Sequence, residues 1–291
     1  MADFLPINRQ HLLNVIAKFP PEIVRNDTQR VFWLSIAIIK HFLGLDWANQ
    51  HVSPETPEPG FLRVIPGATA KTQMSTFRVV DFAELLWNLQ RVPGFETCID
   101  RMKRGNIEAT YAELDFGRML YSAGAVFRFI KPQLKKGRDY DIEIVLPDGM
   151  IVCADAKCKV EVRDFSGETI RNSLEGARKQ LPKDRPSAIF VKVPFRWFEK
   201  IENATELLEI ARRFLRGTGR VVSVKFYSAH VAYRDGMLTQ SLGFKEISNP
   251  NNRFEPGRNW DMFADPNPTS SWNGMPVNWK RLLFFPNDGP S

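Results

Sequence analysis

The stretch of sequence that limits the fold most runs from residue 137 to residue 160, GRDYDIEIVLPDGMIVCADAKCKV. Because side chains two residues apart share one face of a strand, the apolar spacing predicts two strands, each with one apolar face. Pro147, Asp148 and Gly149 between them form a strong hairpin signal. The face opposite the apolar one carries charged side chains: Asp139, Asp141, Glu143, Asp155 and Lys157. This charged face is either solvated surface or a functional site.

The sequence around the hairpin predicts an α/β core. A helix is expected from a cap at Asn106 to a stop at Gly124, followed by a short strand and then by the hairpin. A second helix is expected between Ser166 and Pro182, and it is followed in turn by a strand, a helix and one or two further strands. This order is typical of a central sheet covered by helices.

The chain divides by pattern into three parts. Residues 1–104 have apolar positions at helical spacing, which predicts an N-terminal, mainly helical region. Residues 105–235 contain the α/β core. Residues 236–291 are rich in Asn, Pro, Gly and Trp, so we expect an irregular C-terminal extension that packs on the body through its tryptophans, Trp260, Trp272 and Trp279.

The positive charge of the chain is concentrated in one segment. Residues 101–220 contain 24 Lys and Arg and 17 Asp and Glu, whereas the two charge types balance in the rest of the chain. Such a segment is typical of a protein that binds nucleic acid, although a basic solvated surface produces the same balance. The candidate phosphate contacts flank the two strands: Lys135, Lys136, Arg138 and Lys159.

The sequence also indicates in which cellular compartment the protein is expected. Its three cysteines form neither a paired framework nor a metal-binding spacing, which fits a reducing environment. The N-terminus lacks the pattern of a secretory signal, and the longest apolar run is too short to span a bilayer. We therefore expect a cytoplasmic protein that does not bind a membrane.

The charged face of the hairpin suggests a specific chemistry. Carboxylates on neighbouring strands suit Mg²⁺, for which Mn²⁺ can substitute, and such an ion can activate water against a phosphate. Lys157, two residues after Asp155, would point at the same phosphate and offset its developing charge. Glu113 in the preceding helix is the natural third carboxylate.

The order of these elements resembles a known superfamily. A helix with YAELDFGRML, a strand with AVFRFI, the segments GRDYDIEI and VCADAKCKV, and the helix NSLEGARKQLP follow one another over about residues 105–195. This order is similar to that of the PD-(D/E)XK nucleases, which implies a restriction-endonuclease-like core. The resemblance implies that Asp141 is the first Asp and that Asp155-Ala156-Lys157 is the (D/E)-X-K element. It further implies that Glu113 is the acidic residue of the first core helix and Gln180 the polar residue of the following helix.

Several residues differ from the pattern of individual branches of this superfamily, and the identity of the first Asp stays open. Tyr140 stands where the motif name has proline, and Asp184 stands where an exonuclease branch has tyrosine. Three cysteines do not supply the four that bind the iron–sulfur cluster of some members. Asp139 is an alternative to Asp141, since both lie on the same strand face.

The resulting functional hypothesis is metal-dependent hydrolysis of phosphodiester bonds, with DNA favoured as the substrate. The expected ligands of Mg²⁺ are Glu113, Asp141 and Asp155. Lys157 and Gln180 are expected to be further catalytic residues. An inactive nucleic-acid-binding module on the same fold is one alternative. Another is a protein-interaction module that binds a partner through its N-terminal helices. A homodimer would suit the cleavage of both strands of a duplex.

Overall fold

The structure is a computed structural model that describes residues 5–24, 27–55, 60–67, 70–133, 135–159, 164–234, 237–255, 258 and 260. The helices in this part of the chain are α1 (Arg9–Ile16), α2 (Asp27–Leu43), α3 (Leu45–His51), α4 (Ala70–Leu89), α5 (Phe95–Lys103), α6 (Ile107–Ser122), α7 (Gly167–Gln180), α8 (Phe195–Glu199) and α9 (Ile201–Arg216). The strands are β1 (Val126–Phe129), β2 (Ile142–Val145), β3 (Ile151–Cys158), β4 (Ser187–Lys192), β5 (Val221–Arg234) and β6 (Met237–Ser248).

The chain divides into two compact units. The described residues of 1–91 and 98–107 belong to the first unit, which is helical. The described residues of 92–97 and 108–273 belong to the second unit, which contains the sheet. None of the helices in the described ranges has both the length and the apolar composition that a membrane span requires.

The strands of the second unit form one mixed sheet of six strands in the described residues, in the order β1-β2-β3-β4-β5-β6. The pairs β1–β2, β2–β3 and β5–β6 are antiparallel. The pairs β3–β4 and β4–β5 are parallel, and the helices between them provide the crossovers that parallel pairing needs. The expected α/β class, with a central sheet flanked by helices, is therefore confirmed.

Helices cover both faces of the sheet. On one face, Cys153 of β3 and Val191 of β4 are buried in a cluster with Leu174 of α7 and Leu207 of α9. On the other face, the ring of Phe116 in α6 stacks on that of Phe190 in β4, with centroids 3.5 Å apart. β3 is therefore sandwiched between two helical layers, which explains how a charged side chain in this strand becomes buried.

Most predicted elements occur where the sequence placed them. The helical spacing in the first hundred residues corresponds to α1, α2 and α4. Helix α7 begins after Ser166, whose Oγ accepts a hydrogen bond from the backbone N–H of Thr169 at 3.3 Å. The hairpin turn is also present, since the backbone N–H of Gly149 donates to the carbonyl of Leu146 at 2.8 Å.

One expectation for the C-terminal part was wrong. Residues 237–248 lie in the expected irregular extension, but they form β6, which pairs with β5 along its whole length. The sequence Asp235-Gly236 between the two strands is a common hairpin signal. Trp260 is buried, with 2% of its surface exposed. Trp272 and Trp279 lie outside the described residues.

Candidate active site on the β2–β3 hairpin

The candidate site lies on the hairpin formed by β2 and β3. Ile142 pairs with Ala154 and Ile144 pairs with Val152, so these apolar side chains share one face of the sheet. Because side chains alternate along a strand, Asp155 and Lys157 project from the other face of β3. The arrangement predicted from the two-residue spacing is therefore present.

Asp141 lies directly beside β3. Its Oδ2 accepts a hydrogen bond from the backbone N–H of Ala156 at 2.8 Å. Its own backbone N–H donates to the carbonyl of Ala154 at 3.0 Å. These two contacts hold the Asp141 carboxylate next to Asp155, the residue between Ala154 and Ala156.

Asp139 has a different role from Asp141. Its Oδ1 accepts a hydrogen bond from the backbone N–H of Gln133 at 2.9 Å, which closes the loop that precedes β2. Asp139 still contributes to the field at the site, because its charge raises the pKa of Asp155 to a small extent. Of the two candidate carboxylates, Asp141 is the one that contacts β3.

Asp155 is completely buried, with none of its surface exposed. Its Oδ1 lies 2.7 Å from Nζ of Lys157, with which it forms an ion pair. No other group of the described residues donates a hydrogen bond to either carboxylate oxygen. Burial, followed by the charge of Asp141, raises the pKa of Asp155 to about 7. Lys157 therefore offsets only part of the cost of burying the Asp155 carboxylate beside that of Asp141.

Lys157 is held between two oxygen atoms. Besides its contact with Asp155, its Nζ donates a hydrogen bond to Oε1 of Gln180 at 2.5 Å. Burial would lower the pKa of Lys157, but the charges of Asp155, Asp141 and Glu113 outweigh burial and raise it. Lys157 is therefore a cation whose position is fixed, and a quarter of its side chain (26%) is exposed.

Gln180, the last residue of α7, joins this helix to the hairpin. Its Nε2 donates to the carbonyl of Asp139 at 3.3 Å, while its own carbonyl accepts from the backbone N–H of Asp139 at the same distance. These contacts place its Oε1 against Lys157. The structure thus brings Gln180, predicted from the following helix, into the site.

Glu113 is buried in α6, with 5% of its surface exposed. It lies near enough for its charge to contribute to the raised pKa of Lys157. However, no group of three or more His, Cys, Asp and Glu side chains in the described part of the chain is arranged to hold a metal ion. Glu113, Asp141 and Asp155 are thus electrostatic neighbours of Lys157 without forming a three-carboxylate cage. A direct role for Glu113 as ligand stays a prediction.

The residues present nevertheless suit Mg²⁺. This ion is usually held by one or two carboxylates, with waters and substrate phosphates completing its octahedral shell. Asp155 supplies two buried oxygens, of which Oδ1 also contacts Lys157, and Asp141 supplies a second carboxylate beside it. A divalent cation here would compensate the buried charge of Asp155 and lower its pKa.

Glu143 belongs to a separate network, although the sequence places it on the charged face of β2. It pairs with Arg128 and accepts a hydrogen bond from the hydroxyl group of Tyr140. Arg185 approaches its Oε1 to 3.6 Å. Burial would raise the pKa of Glu143, but the hydrogen bonds from Tyr140 and Arg128 lower it instead. Glu143 is therefore a compensated carboxylate that stabilises the hairpin.

A second buried ion cluster lies on the α6 side of the sheet, and the sequence analysis did not identify it. Asp115 pairs with Arg118 and, through Oδ2, with Nζ of Lys192 at 2.6 Å. Nζ of Lys192 also lies 4.5 Å from the ring centroid of Tyr111. Burial would raise the pKa of Asp115, but Lys192 and Arg118 lower it. Asp115 and Lys192 are 77 positions apart, so no local sequence pattern signals their contact.

The predicted phosphate contacts flank the site. Lys135, Lys136 and Arg138 are exposed in the loop before β2, where the backbone N–H of Arg138 donates to the carbonyl of Lys135 at 2.9 Å. Lys159 follows the end of β3 and is half-buried. Their direct contact with nucleic acid stays a prediction.

Comparison of the sequence with models of protein families gives no match, and comparison with curated proteins gives no significant match. The functional interpretation therefore depends on the geometry of the hairpin and on the resemblance of its motif.

Proposed function

We propose that this protein is a metal-dependent nuclease with a restriction-endonuclease-like core, and that it hydrolyses phosphodiester bonds in DNA at the β2–β3 hairpin. One observation carries the proposal. The carboxylate of Asp155 is fully buried beside a second carboxylate, and among the described residues only the ammonium of Lys157 is its partner. A purely structural buried carboxylate is normally satisfied by several hydrogen bonds and is not placed beside another carboxylate.

The metal site that we propose contains Asp141 and Asp155, with Glu113 as the candidate third ligand. When bound there, Mg²⁺ would lower the pKa of the attacking water and offset the charge on the leaving oxygen. Mn²⁺ has the same preference for oxygen ligands and would substitute for Mg²⁺.

Lys157 and Gln180 act on the phosphate side of the site. The ammonium of Lys157 would offset the negative charge that develops on the phosphate in the transition state. Gln180 limits the orientations of this ammonium, because its Oε1 accepts a hydrogen bond from Nζ. A fixed charge pays no reorganisation cost during the reaction, so Gln180 would raise the rate without contacting the substrate.

The charge distribution supports a nucleic acid as the substrate. The net positive charge of the chain lies in residues 101–220, which include the whole hairpin. The exposed cations Lys135, Lys136 and Arg138 directly precede Asp139. We expect them to contact phosphates next to the bond that is cut. Such contacts position the backbone without reading its sequence.

The test is a cleavage assay with supercoiled plasmid, linear duplex and single-stranded DNA in Mg²⁺ or Mn²⁺. The wild-type protein is compared with Asp155→Asn, and Asp148→Asn is the matched control. Asp148 lies in the turn of the same hairpin, where its Oδ2 lies 2.7 Å from Arg258, and both substitutions remove one carboxylate charge. Circular dichroism of each protein checks that the fold is retained.

We expect Asp155→Asn to abolish cleavage and Asp148→Asn to retain the wild-type rate. If neither substitution changes the rate, the activity comes from a contaminant and the proposal is wrong. If the wild-type protein cleaves none of the three substrates under any condition, the hairpin belongs to an inactive module on the same fold.

A further inference from the structure

Three arginines meet on the second unit, outside the candidate active site. Arg178 lies in the last turn of α7, Arg220 directly precedes β5, and Arg253 lies in the loop after β6. The guanidinium of Arg220 donates a hydrogen bond to the carbonyl of Arg178. The backbone N–H of Arg253 donates to the carbonyl of Gly219 at 2.9 Å, which brings Arg253 beside Arg220. We call these three residues the arginine patch.

The charge of this patch is only partly compensated. Arg178 pairs with Glu175 at 2.5 Å. Arg220 and Arg253 have no carboxylate partner among the described residues. Six other arginines of the same unit do have one: Arg118, Arg128, Arg185, Arg196, Arg213 and Arg258.

The proximity of the three cations affects the pKa of Arg220. Burial lowers the pKa of Arg220, and the charges of Arg178 and Arg253 lower it further. Like charges held together by backbone contacts repel one another, and an anion bound between them would remove that repulsion. Phosphate matches the fork of donors on a guanidinium group.

A structural explanation accounts for only part of the patch. Arg220 caps the C-terminal end of α7, because its guanidinium satisfies the carbonyl of Arg178. This role does not require Arg253, whose side chain is exposed and whose Cζ lies 5.2 Å from the ring centroid of Phe254. Arg253 is therefore the member of the patch that remains available to a ligand.

The end of α7 connects the patch to the candidate active site. Its last three carbonyls accept hydrogen bonds from different segments: that of Arg178 from Arg220, that of Lys179 from the backbone N–H of Gly137, and that of Gln180 from the backbone N–H of Asp139. The loop that contains Lys135, Lys136 and Arg138 therefore meets the same helix end as Arg220. Lys179 and Lys183 are exposed there as well. Exposed cations thus extend from the hairpin to the patch.

We propose that Arg253 and Arg220 bind the phosphate backbone of a nucleic acid beyond the bond that the active site cuts. The inference depends on the proposed function for its ligand, since a nucleic acid that extends away from the hairpin supplies the polyanion. Each phosphate contact releases condensed counterions and adds to affinity without sequence preference. The patch would therefore set the orientation of the nucleic acid relative to the hairpin.

The test measures the binding of a fluorescein-labelled DNA duplex by anisotropy in EDTA, over a series of salt concentrations. Arg253→Ala is the first variant, because Arg253 is exposed. The matched control is Arg213→Ala, which removes the same charge from an arginine that is 67% exposed but pairs with Glu209. Arg253→Lys tests whether charge is sufficient.

We expect Arg253→Ala to weaken binding and to reduce the slope of log K against log salt by about 0.9, the value for one lost phosphate contact. Arg213→Ala should keep the wild-type slope, and Arg253→Lys should lie close to wild type. An unchanged slope for Arg253→Ala would overturn the proposal. The proposal would also be overturned if Arg253→Ala lost binding to phosphatidylserine vesicles but bound DNA as the wild-type protein does. That result would assign the patch to a membrane surface.

The result is independent of catalysis, because EDTA prevents metal-dependent cleavage. A reduced slope for Arg253→Ala, with no cleavage by the wild-type protein in Mg²⁺, would support the patch and reject the nuclease. Cleavage that depends on Asp155, with an unchanged slope for Arg253→Ala, would support the nuclease and reject the patch.

Discussion

The backbone N–H of Ala156 donates a 2.8 Å hydrogen bond to Oδ2 of Asp141. This contact separates two carboxylates that the sequence could not distinguish, because Asp139 and Asp141 lie on the same strand face. Asp141 is fixed beside Asp155, whereas Oδ1 of Asp139 accepts a hydrogen bond from the backbone N–H of Gln133. The two residues therefore have different expected contributions to activity.

Replacement of Asp141 should affect cleavage more than replacement of Asp139. We expect Asp141→Asn to lower the rate of plasmid cleavage by at least about 100-fold, because it removes a charged metal ligand. Asp139→Asn retains the hydrogen-bonding shape of the loop and should cost less than about tenfold. Initial rates in saturating Mg²⁺ measure both effects. A larger loss for Asp139→Asn would reverse the assignment of the first metal ligand.

The stability of the metal-free protein should depend on the titration of Asp155. Its pKa is about 7 in the folded protein, whereas the ordinary value, expected in the unfolded chain, is 3.8. Between these two pH values the folded state therefore binds more protons than the unfolded state. The free energy of unfolding should therefore contain a contribution that is fully present below pH 3.8 and is lost as pH rises through about 7. Urea denaturation in EDTA at several pH values measures it.

Asp155→Asn provides the comparison for this pH dependence. The amide does not titrate, so the difference in unfolding free energy between wild type and Asp155→Asn should change across that pH range and become constant above it. Saturating Mg²⁺ should stabilise the wild-type protein at the alkaline end, because the ion binds the folded state alone. Parallel pH profiles for the two proteins in EDTA would show that Asp155 is not the titrating group.

The buried ion cluster of Asp115 should be important for stability. Lys192→Met removes one of the two cations that compensate Asp115, which has 1% of its surface exposed. We expect a loss of about 3 kcal/mol in the free energy of unfolding, since a buried charge loses its partner. Lys183→Met, at an exposed position, should change it by less than about 0.5 kcal/mol. Equal effects in urea denaturation would mean that the Lys192 contact contributes nothing.

Gly94 should tolerate no side chain. It has a φ of +84°, and a Cβ placed there would lie 2.0 Å from the carbonyl oxygen of Phe129. Gly149 has the same φ, but nothing lies within 4 Å of its Cβ position. Gly149→Ala should therefore cost about 1 kcal/mol from backbone strain alone. Gly94→Ala should lower the melting temperature much further, and equal shifts for the two variants would show that the segment around Phe129 can move.

The sequence predicts the hairpin and its register well because both depend on local patterns. Alternation of apolar residues identifies the buried face, and Pro147-Asp148-Gly149 fixes the turn, so register follows from strand length. Apolar periodicity does not predict short helices such as α3 and α8, because one or two turns contain too few apolar positions to establish a period. The pattern of the C-terminal segment does not predict β6, although the sequence Asp235-Gly236 before it is a common hairpin signal.

The sequence likewise predicts some features of the candidate site and not others. Asp155 and Lys157 are recognisable because two-residue spacing in a strand places them together. The contact of Gln180 with Lys157 spans 23 positions and depends on the path of α7 across the sheet. The burial of Asp155 depends on the helical layer of α7 and α9, which covers its face of β3. No local pattern encodes either feature, so only the structure distinguishes this carboxylate from a solvated one.

The proposed function depends on a divalent cation binding to the Asp155 carboxylate, and isothermal titration calorimetry with Mn²⁺ tests this dependence directly. We predict that the wild-type protein binds Mn²⁺ and releases protons near pH 7, since the cation displaces the proton of Asp155. Asp155→Asn should lose this binding, while Asp148→Asn should retain it. Absence of binding to the wild-type protein, or equal affinity in wild type and Asp155→Asn, would contradict a metal site on the hairpin.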